Sequence, residues 1–209
     1  MDERTRVVQS GYDAIAERYH AGRAAREAVN VAWLDGLRPL LPASGDVLDL
    51  GCGSGVPITK YFAERGLAVT GVDVSPAMLA LARRHVPAAT FVEATIEQFV
   101  RLGSAPPDFR FDLIVSFFAI IHVDRSLHEA LFVRLADILN PSGKLLLSLG
   151  VDDNPDQHDD FYGAPMTWSH FDAATNLRML ADAGFHIDWH EVEDLPGERH
   201  LFLVATKDR

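Results

Sequence analysis

The chain has 209 residues, 48% of them apolar, and a formal net charge of −11 from 30 acidic and 19 basic residues. This is a globular composition whose acidity opposes nucleic-acid phosphates and anionic membranes, and no apolar run nears the ~18 residues of a membrane span. The single cysteine, Cys52, excludes an intrachain disulfide, and Met1-Asp2-Glu3-Arg4 holds no apolar signal core, so a cytoplasmic setting is expected.

Two helices are predicted first, over residues 5–19 and 24–41, forming a helical cap (residues 1–45) over the carboxyl edge of a sheet. Val47-Leu48-Asp49-Leu50 is a short apolar strand ending in Gly51-Cys52-Gly53-Ser54-Gly55. A helix over 56–65 stops at Gly66, and a strand over 68–74 comes next. Ser75-Pro76 reads as an N-cap with proline at the first helical position, opening a helix to His85. Strands are predicted over 89–92, 111–118 and 144–149, the second apolar almost throughout, as a strand buried on both faces should be. Ser126-Leu127-His128-Glu129 and Ser169-His170-Phe171-Asp172 read as capping boxes, and Asn140-Pro141-Ser142-Gly143 as a turn. Residues 151–168 show no regular pattern and read as a lid or substrate loop. Strands over 185–192 and 200–206 flank a turn at Pro196-Gly197, which makes them an antiparallel hairpin. Strands alternating with helices imply a parallel sheet with right-handed crossovers, whose ligands sit outside the carboxyl ends of the strands.

Chemistry is therefore sought at that edge. Three glycines at alternate positions let backbone turn tightly against a ligand. The third comes two residues after the second, whereas the dinucleotide fingerprint needs three, so a pyrophosphate is disfavoured; no Gly-Lys-Ser/Thr is present for a P-loop. Asp49 can accept hydrogen bonds from a cationic amino group. Asp73, about 20 residues beyond Gly51, can grip two ribose hydroxyls. Val74 and Met78 can flank a base.

Val47 to Gly55 together with Gly71-Val72-Asp73-Val74-Ser75 resembles the Rossmann-like (class I) S-adenosylmethionine-dependent methyltransferases. Residues 111–116 and 139–148 are similar to that family's later motifs, and residues 12–19 to the N-terminal helix of its small-molecule members. The resemblance spans nearly the whole chain. It implies an α/β three-layer sandwich in one domain, with a seven-stranded, mostly parallel sheet whose last strand is antiparallel. It implies S-adenosylmethionine as cofactor and S-adenosylhomocysteine as product. Asp49, Gly51 and Gly53 would hold the methionine moiety, Asp73 the ribose, and Val74 and Met78 the adenine. Thr95 and Ile96 would meet the adenine edge. Many members carry Asp where Thr95 stands, and Thr95 and Glu97 also suit a helix cap. Ser116 would lie under the sulfonium. Tyr12 and Tyr19 would close over the cofactor, or pack the helix.

The methyl acceptor is expected to be a small molecule with an O, N, S or C nucleophile. Ser116-Phe117-Phe118-Ala119 stands where base-amino methyltransferases carry an Asn/Asp-Pro-Pro-Tyr-like tetrapeptide. His122 is the candidate general base, or a loop histidine held by hydrogen bonds. Tyr162, Trp168 and His170 are candidate acceptor contacts. His158-Asp159-Asp160 lacks partners at metal-ligand spacing, so no metal is expected. His186 and His190, an even step apart, are predicted on one strand face. The alternatives are other chemistry on S-adenosylmethionine, or a cofactor-binding domain without catalysis. Oligomeric state cannot be read.

Overall fold

The computed structural model describes residues 2–104, 107–195 and 198–208. Helices α1 (Glu3–Ala25) and α2 (Glu27–Leu37) precede β1 (Asp46–Leu50), α3 (Ile58–Ala63), β2 (Ala68–Asp73), α4 (Pro76–His85), β3 (Thr90–Glu93), α5 (Ile96–Phe99) and β4 (Phe111–Ser116). Then come α6 (His128–Ile138), β5 (Leu139–Leu149), β6 (Asn154–Phe161), β7 (Ala164–His170), α7 (Ala173–Asp182), β8 (Phe185–Leu195) and β9 (Glu198–Lys207). Seven strands form one sheet in the order β3-β2-β1-β4-β5-β9-β8. All lie parallel except β9, which runs against both β5 and β8. The turn read at Pro196-Gly197 lies outside the described residues.

The apolar runs of β1 and β4 serve two faces. Leu48, Leu50 and Ile114 point into a cluster with α6 and α7. Val47, Leu113 and Val115 point to the other face, against α3 and Leu34 and Leu37 of α2. Burying one such side chain is worth about 1.5–3 kcal/mol, so these strands anchor both layers. The two N-terminal helices therefore part ways. α2 joins a layer under the sheet, and α1 crosses its carboxyl edge. There Asp13 accepts from the Ser75 hydroxyl (2.6 Å) and the Ala77 amide (3.1 Å), tying α1 to the first turn of α4. Gln9 donates to the Val74 carbonyl at 2.9 Å.

Residues 151–168 depart from the expectation of an irregular loop. β6 and β7 form an antiparallel hairpin, with Phe161 facing Ala164 in register. Tyr162 and Gly163 both have positive φ (56° and 83°), the backbone of a two-residue I′ turn. Ala164 and Met166 pack on Val8 and Ile15 of α1. β6 is exposed almost throughout and carries Asp156, Asp159 and Asp160, so it shows no apolar alternation.

Three local expectations also change. Ser126 is not a cap: Asp124 accepts from the Ser126 amide (2.9 Å), opening a 3-10 turn, and α6 begins only at His128. Ser169 lies buried in β7, and Asp172 caps α7 by accepting from the Thr175 amide (2.9 Å). Residues 140–143 do not end the element; they bulge within β5, since Phe111 pairs with Leu139 but Leu113 with Lys144. A second bulge, between Ile187 and Trp189, pairs His186 with Thr206 but His190 with Leu203, so the two histidines face opposite sides. No described helix is long and apolar enough to cross a membrane.

Candidate functional site

The glycine loop leaves β1 beside the C-terminal part of α1, where His20 meets Ser54. Gly51 and Gly53 both adopt left-handed backbone (φ 75° and 54°). Their surroundings differ. A Cβ on Gly51 would stand 2.1 Å from the Cβ of Ala119, whereas one on Gly53 would meet nothing within 4 Å. Gly51 is thus required by packing, and Gly53 presents bare backbone to open space. Gly51→Ala is expected to destabilise by about 3 kcal/mol, combining left-handed strain of about 1–3 with overpacking of about 1–3 kcal/mol. Gly53→Ala should cost about 1–2 kcal/mol, from backbone strain alone. Thermal or denaturant unfolding of the two variants checks the contrast.

Asp73, at the end of β2, is held by backbone on both oxygens. Gly53 N–H donates to Oδ2 at 2.8 Å, and Ser75 N–H to Oδ1 at 2.9 Å. Burial raises its pKa to about 6 despite these bonds. Asp49 faces the α3 side of β1 and accepts from the Thr59 hydroxyl at 2.6 Å. Burial pushes its pKa up to about 7, the Thr59 bond opposing and the Asp73 charge adding. Burial also raises the Cys52 thiol, as suits a packing residue.

Three cavities meet here. The first, about 90 Å³, is walled by Gly51, Gly53, Asp73, Val74 and Met78, with Thr95, Ile96 and Glu97 across from them. Thr95 closes a capping box with Gln98, so its hydroxyl already accepts from the Gln98 amide (3.1 Å). The second, about 450 Å³, opens between α1 and the hairpin, and Tyr162, Trp168 and His170 line it. The third lies under the glycine loop, between Asp49, Gly53 and Arg23. Tyr12, Tyr19, Phe118 and His122 border both the first and the second, so the two share a wall.

Ser116 is a correction. It lines none of these cavities: its hydroxyl is fully buried and donates to the Leu50 carbonyl at 2.9 Å, binding β4 to β1. The chain turns after it, and Phe117 to Ala119 line the first cavity instead.

His122 is fixed at both nitrogens. Nδ1 stands 2.7 Å from the Thr167 carbonyl, and Nε2 2.9 Å from the Tyr12 hydroxyl. A carbonyl only accepts, so Nδ1 carries the hydrogen, and in the neutral ring Nε2 accepts from Tyr12. The ring also stacks, tilted, on Trp168 at 5.9 Å between centroids. His170 sets Nδ1 2.9 Å from the Asp152 carbonyl, and burial lowers its pKa.

Sequence reasoning missed Arg23. Its guanidinium lies over the Phe118 ring at 4.7 Å and borders the second and third cavities, one of them beside Asp49. It belongs to the helical region read only as a cap, and nothing in its neighbours marks it. His20 of α1 was also passed over. It stacks on His85 (4.1 Å, 10°) and reaches Ser54 of the glycine loop at 2.9 Å. No three His, Cys, Asp or Glu gather as a metal site among the described residues.

Comparison with known proteins places this geometry. Residues 47–143 match the family model described as a methyltransferase domain. A trans-aconitate 2-methyltransferase of Paracidovorax citrulli is 37% identical over 116 residues, 52% of this chain and 40% of that protein. A malonyl-[acyl-carrier protein] O-methyltransferase of Enterobacter lignolyticus is 40% identical over 125 residues, 58% of this chain and 47% of that one. The chain thus spans under half the length of these curated relatives. The magnesium protoporphyrin IX methyltransferase of Synechocystis PCC 6803, solved with bound SAH, superposes with a TM-score of 0.72 at 18% identity, over 99% of this chain and 100% of that one. At that identity the likeness is one of fold. The chain thus shares a Rossmann-like fold with that methyltransferase over nearly its whole length, and its segment from the glycine loop to the bulge of β5 matches a methyltransferase domain.

Proposed function

We propose that the chain transfers a methyl group from S-adenosylmethionine to a nucleophile, oxygen foremost, of a small molecule. The observation that carries this reading is the shared wall. A cavity built on Asp73 and the bare Gly53 backbone meets a larger aromatic one at the Tyr12–His122 pair. The relatives' names, trans-aconitate and malonyl-[acyl-carrier protein] methyltransferase, support transfer to oxygen-rich acceptors. The net charge of −11 argues against a nucleic-acid acceptor and suits a cytoplasmic setting.

The donor set fits the cofactor. Each Asp73 oxygen uses one lone pair for a backbone N–H and keeps another for a ribose hydroxyl. Val74, Met78, Thr95 and Ile96 would wall the adenine. Asp49 would face the ammonium of the methionine end, and Arg23, across the same small cavity, its carboxylate. When bound, S-adenosylmethionine supplies a methyl activated on a sulfonium. The protein aligns the acceptor and excludes water, with Tyr12 and Tyr19 of α1 as the closing side chains. A proton leaving the acceptor would pass to the Tyr12 oxygen while the Tyr12 proton moves to Nε2 of His122. The Thr167 carbonyl would hold the resulting imidazolium.

Calorimetric titration with S-adenosylmethionine and S-adenosylhomocysteine, NAD serving as control, tests the cofactor. Formation of S-adenosylhomocysteine across an acceptor panel tests transfer. Binding of NAD alone would overturn the reading, and methylthioadenosine as product would replace it with cleavage of the cofactor.

A pH dependence arises from the raised carboxyl groups. Both act best ionised, and ligand hydroxyl and ammonium groups favour that form. Binding S-adenosylhomocysteine at pH 6.5 should therefore release about one proton, and affinity should rise about 100-fold from pH 5.5 to 7.5. Calorimetry in two buffers of different ionisation enthalpy reads this directly. In the unliganded protein the sign is opposite. Because the folded pKa values lie above the ordinary 3.8, the stabilising contribution is full below about pH 4. It is lost as pH rises through 6 to 7.

A further inference from the structure

We propose that the second cavity recognises an acceptor carrying an anionic group, bound by Arg26 and Arg199, apart from the atom that is methylated. The inference rests on the methyl-transfer reading for the word acceptor, but the anion preference stands on the cavity itself.

In a chain where acids outnumber bases 30 to 19, this cavity inverts the balance. Three arginines line it, Arg23, Arg26 and Arg199, against one acid, Asp152. Asp152 lies 4.0 Å from Arg199, with both side chains more than half exposed, and Asp194 stands opposite Arg199 in the β8–β9 register. The acids of β6 do not compete. Asp156 pairs with Arg4, and neither it nor Asp159 and Asp160 reaches the lining, where β6 contributes the amides of Asn154 and Gln157. Arg23 is shared with the glycine-loop cavity, whereas Arg26 and Arg199 border the second cavity and neither of the other two. Phe161, Tyr162 and Trp168 supply its aromatic walls, Phe161 beside Tyr12 and Trp168 beside His122. The arrangement suits a molecule with an apolar or aromatic body, a reacting atom at one end and a carboxylate or similar anion at the other. Guanidinium forks bind such anions in bidentate fashion, and about 450 Å³ admits a body of one or two rings.

The test uses a pair of fluorescent probes of the same shape: 8-anilinonaphthalene-1-sulfonate, which is anionic, and N-phenyl-1-naphthylamine, which is neutral. Both are titrated into the folded protein, wild type and the exposed-site variants Arg26→Gln, Arg199→Gln and their double. The anionic probe should bind at least tenfold more tightly at 20 mM salt. Raising salt to 500 mM should erode most of that preference. Each single variant should weaken the anionic probe about threefold and the double about tenfold, with the neutral probe within twofold. Equal affinities for the two probes, no binding of the anionic one, or anionic binding untouched by the double variant would overturn the proposal. S-adenosylhomocysteine is titrated in parallel, and its affinity should be unchanged in the double variant. Should it fail to bind the wild type while the anionic probe stays charge-selective, the methyl-transfer reading falls and the anion site stands.

Discussion

Tyr12→Phe and His122→Asn are each expected to lower kcat for methyl transfer about 100-fold, the lower part of the range for a positioned acid–base group. The affinity for S-adenosylhomocysteine should change less than twofold, because neither side chain is among the groups assigned to the cofactor's polar atoms. Asparagine at 122 keeps an N–H for the Thr167 carbonyl, which His122 meets at 2.7 Å, yet has no nitrogen able to take a proton. Phenylalanine at 12 keeps the ring that packs edge-on to Tyr19 and His122 (both 5.4 Å) and removes only the hydroxyl. Packing is thus largely conserved in both variants while the relay is cut at two different atoms. Since the two groups form one proton path, the double variant should lose about as much as either single, not the ~10⁴-fold of independent effects. Steady-state kinetics on S-adenosylhomocysteine formation separates the cases. An unchanged kcat in either single variant would mean that the acceptor atom already lacks a proton, and would leave the pair as part of the wall. Multiplying losses would mean that Tyr12 and His122 act through separate contacts.

How legible each feature is in the sequence depends on how locally it is encoded. The sheet and its reversed final strand were legible, because fully buried strands must be apolar on both faces and the glycine loop, Asp73 and the Ser75-Pro76 cap are contiguous signals. The β6–β7 hairpin was hidden because β6 is solvated and carries no apolar alternation; only Tyr162-Gly163 between aromatic and small residues hinted at its turn. Ser116 misled because position at a strand end does not say which way a small hydroxyl points, and the Leu50 carbonyl captured it. Arg23 and Arg26, at and just after the end of helix α1, were unreadable because many polar residues are exposed there, and only the approach of Phe118, Asp152 and the hairpin turns these two into cavity walls. His122 was found from its position after β4, but its partners, Tyr12 and Thr167, come from 110 and 45 residues away.

Asp73 yields the second large effect, and it separates charge from shape. Asp73→Ala should weaken S-adenosylhomocysteine about 10- to 100-fold, the loss of one or two charge-assisted bonds worth about 1–3 kcal/mol. The isosteric Asp73→Asn should fall at least as far. Both carboxylate oxygens face backbone N–H donors, Gly53 on one side and Ser75 on the other, so the amide nitrogen of asparagine must confront one of them whichever way it is turned. Turned toward Gly53, it pushes against the loop that offers its bare backbone to the ligand. Turned toward Ser75, it disturbs the N-cap of α4, where the Ser75 hydroxyl accepts from Met78. Stability moves differently from affinity. Asparagine leaves one N–H unsatisfied at a cost of about 1–3 kcal/mol, but it also removes the burial penalty that lifts the Asp73 pKa from 3.8 to about 6. Above pH 6 that penalty is on the order of 3 kcal/mol. The two nearly cancel, so Asp73→Asn should melt within a few degrees of wild type at pH 7.5 while binding the cofactor product 100-fold more weakly. Calorimetry and thermal unfolding on the same preparation read both quantities. Wild-type affinity in a folded Asp73→Asn protein would show that the ribose is held elsewhere, whereas a collapse in melting temperature would make Asp73 first a support of the Gly53–Ser75 turn.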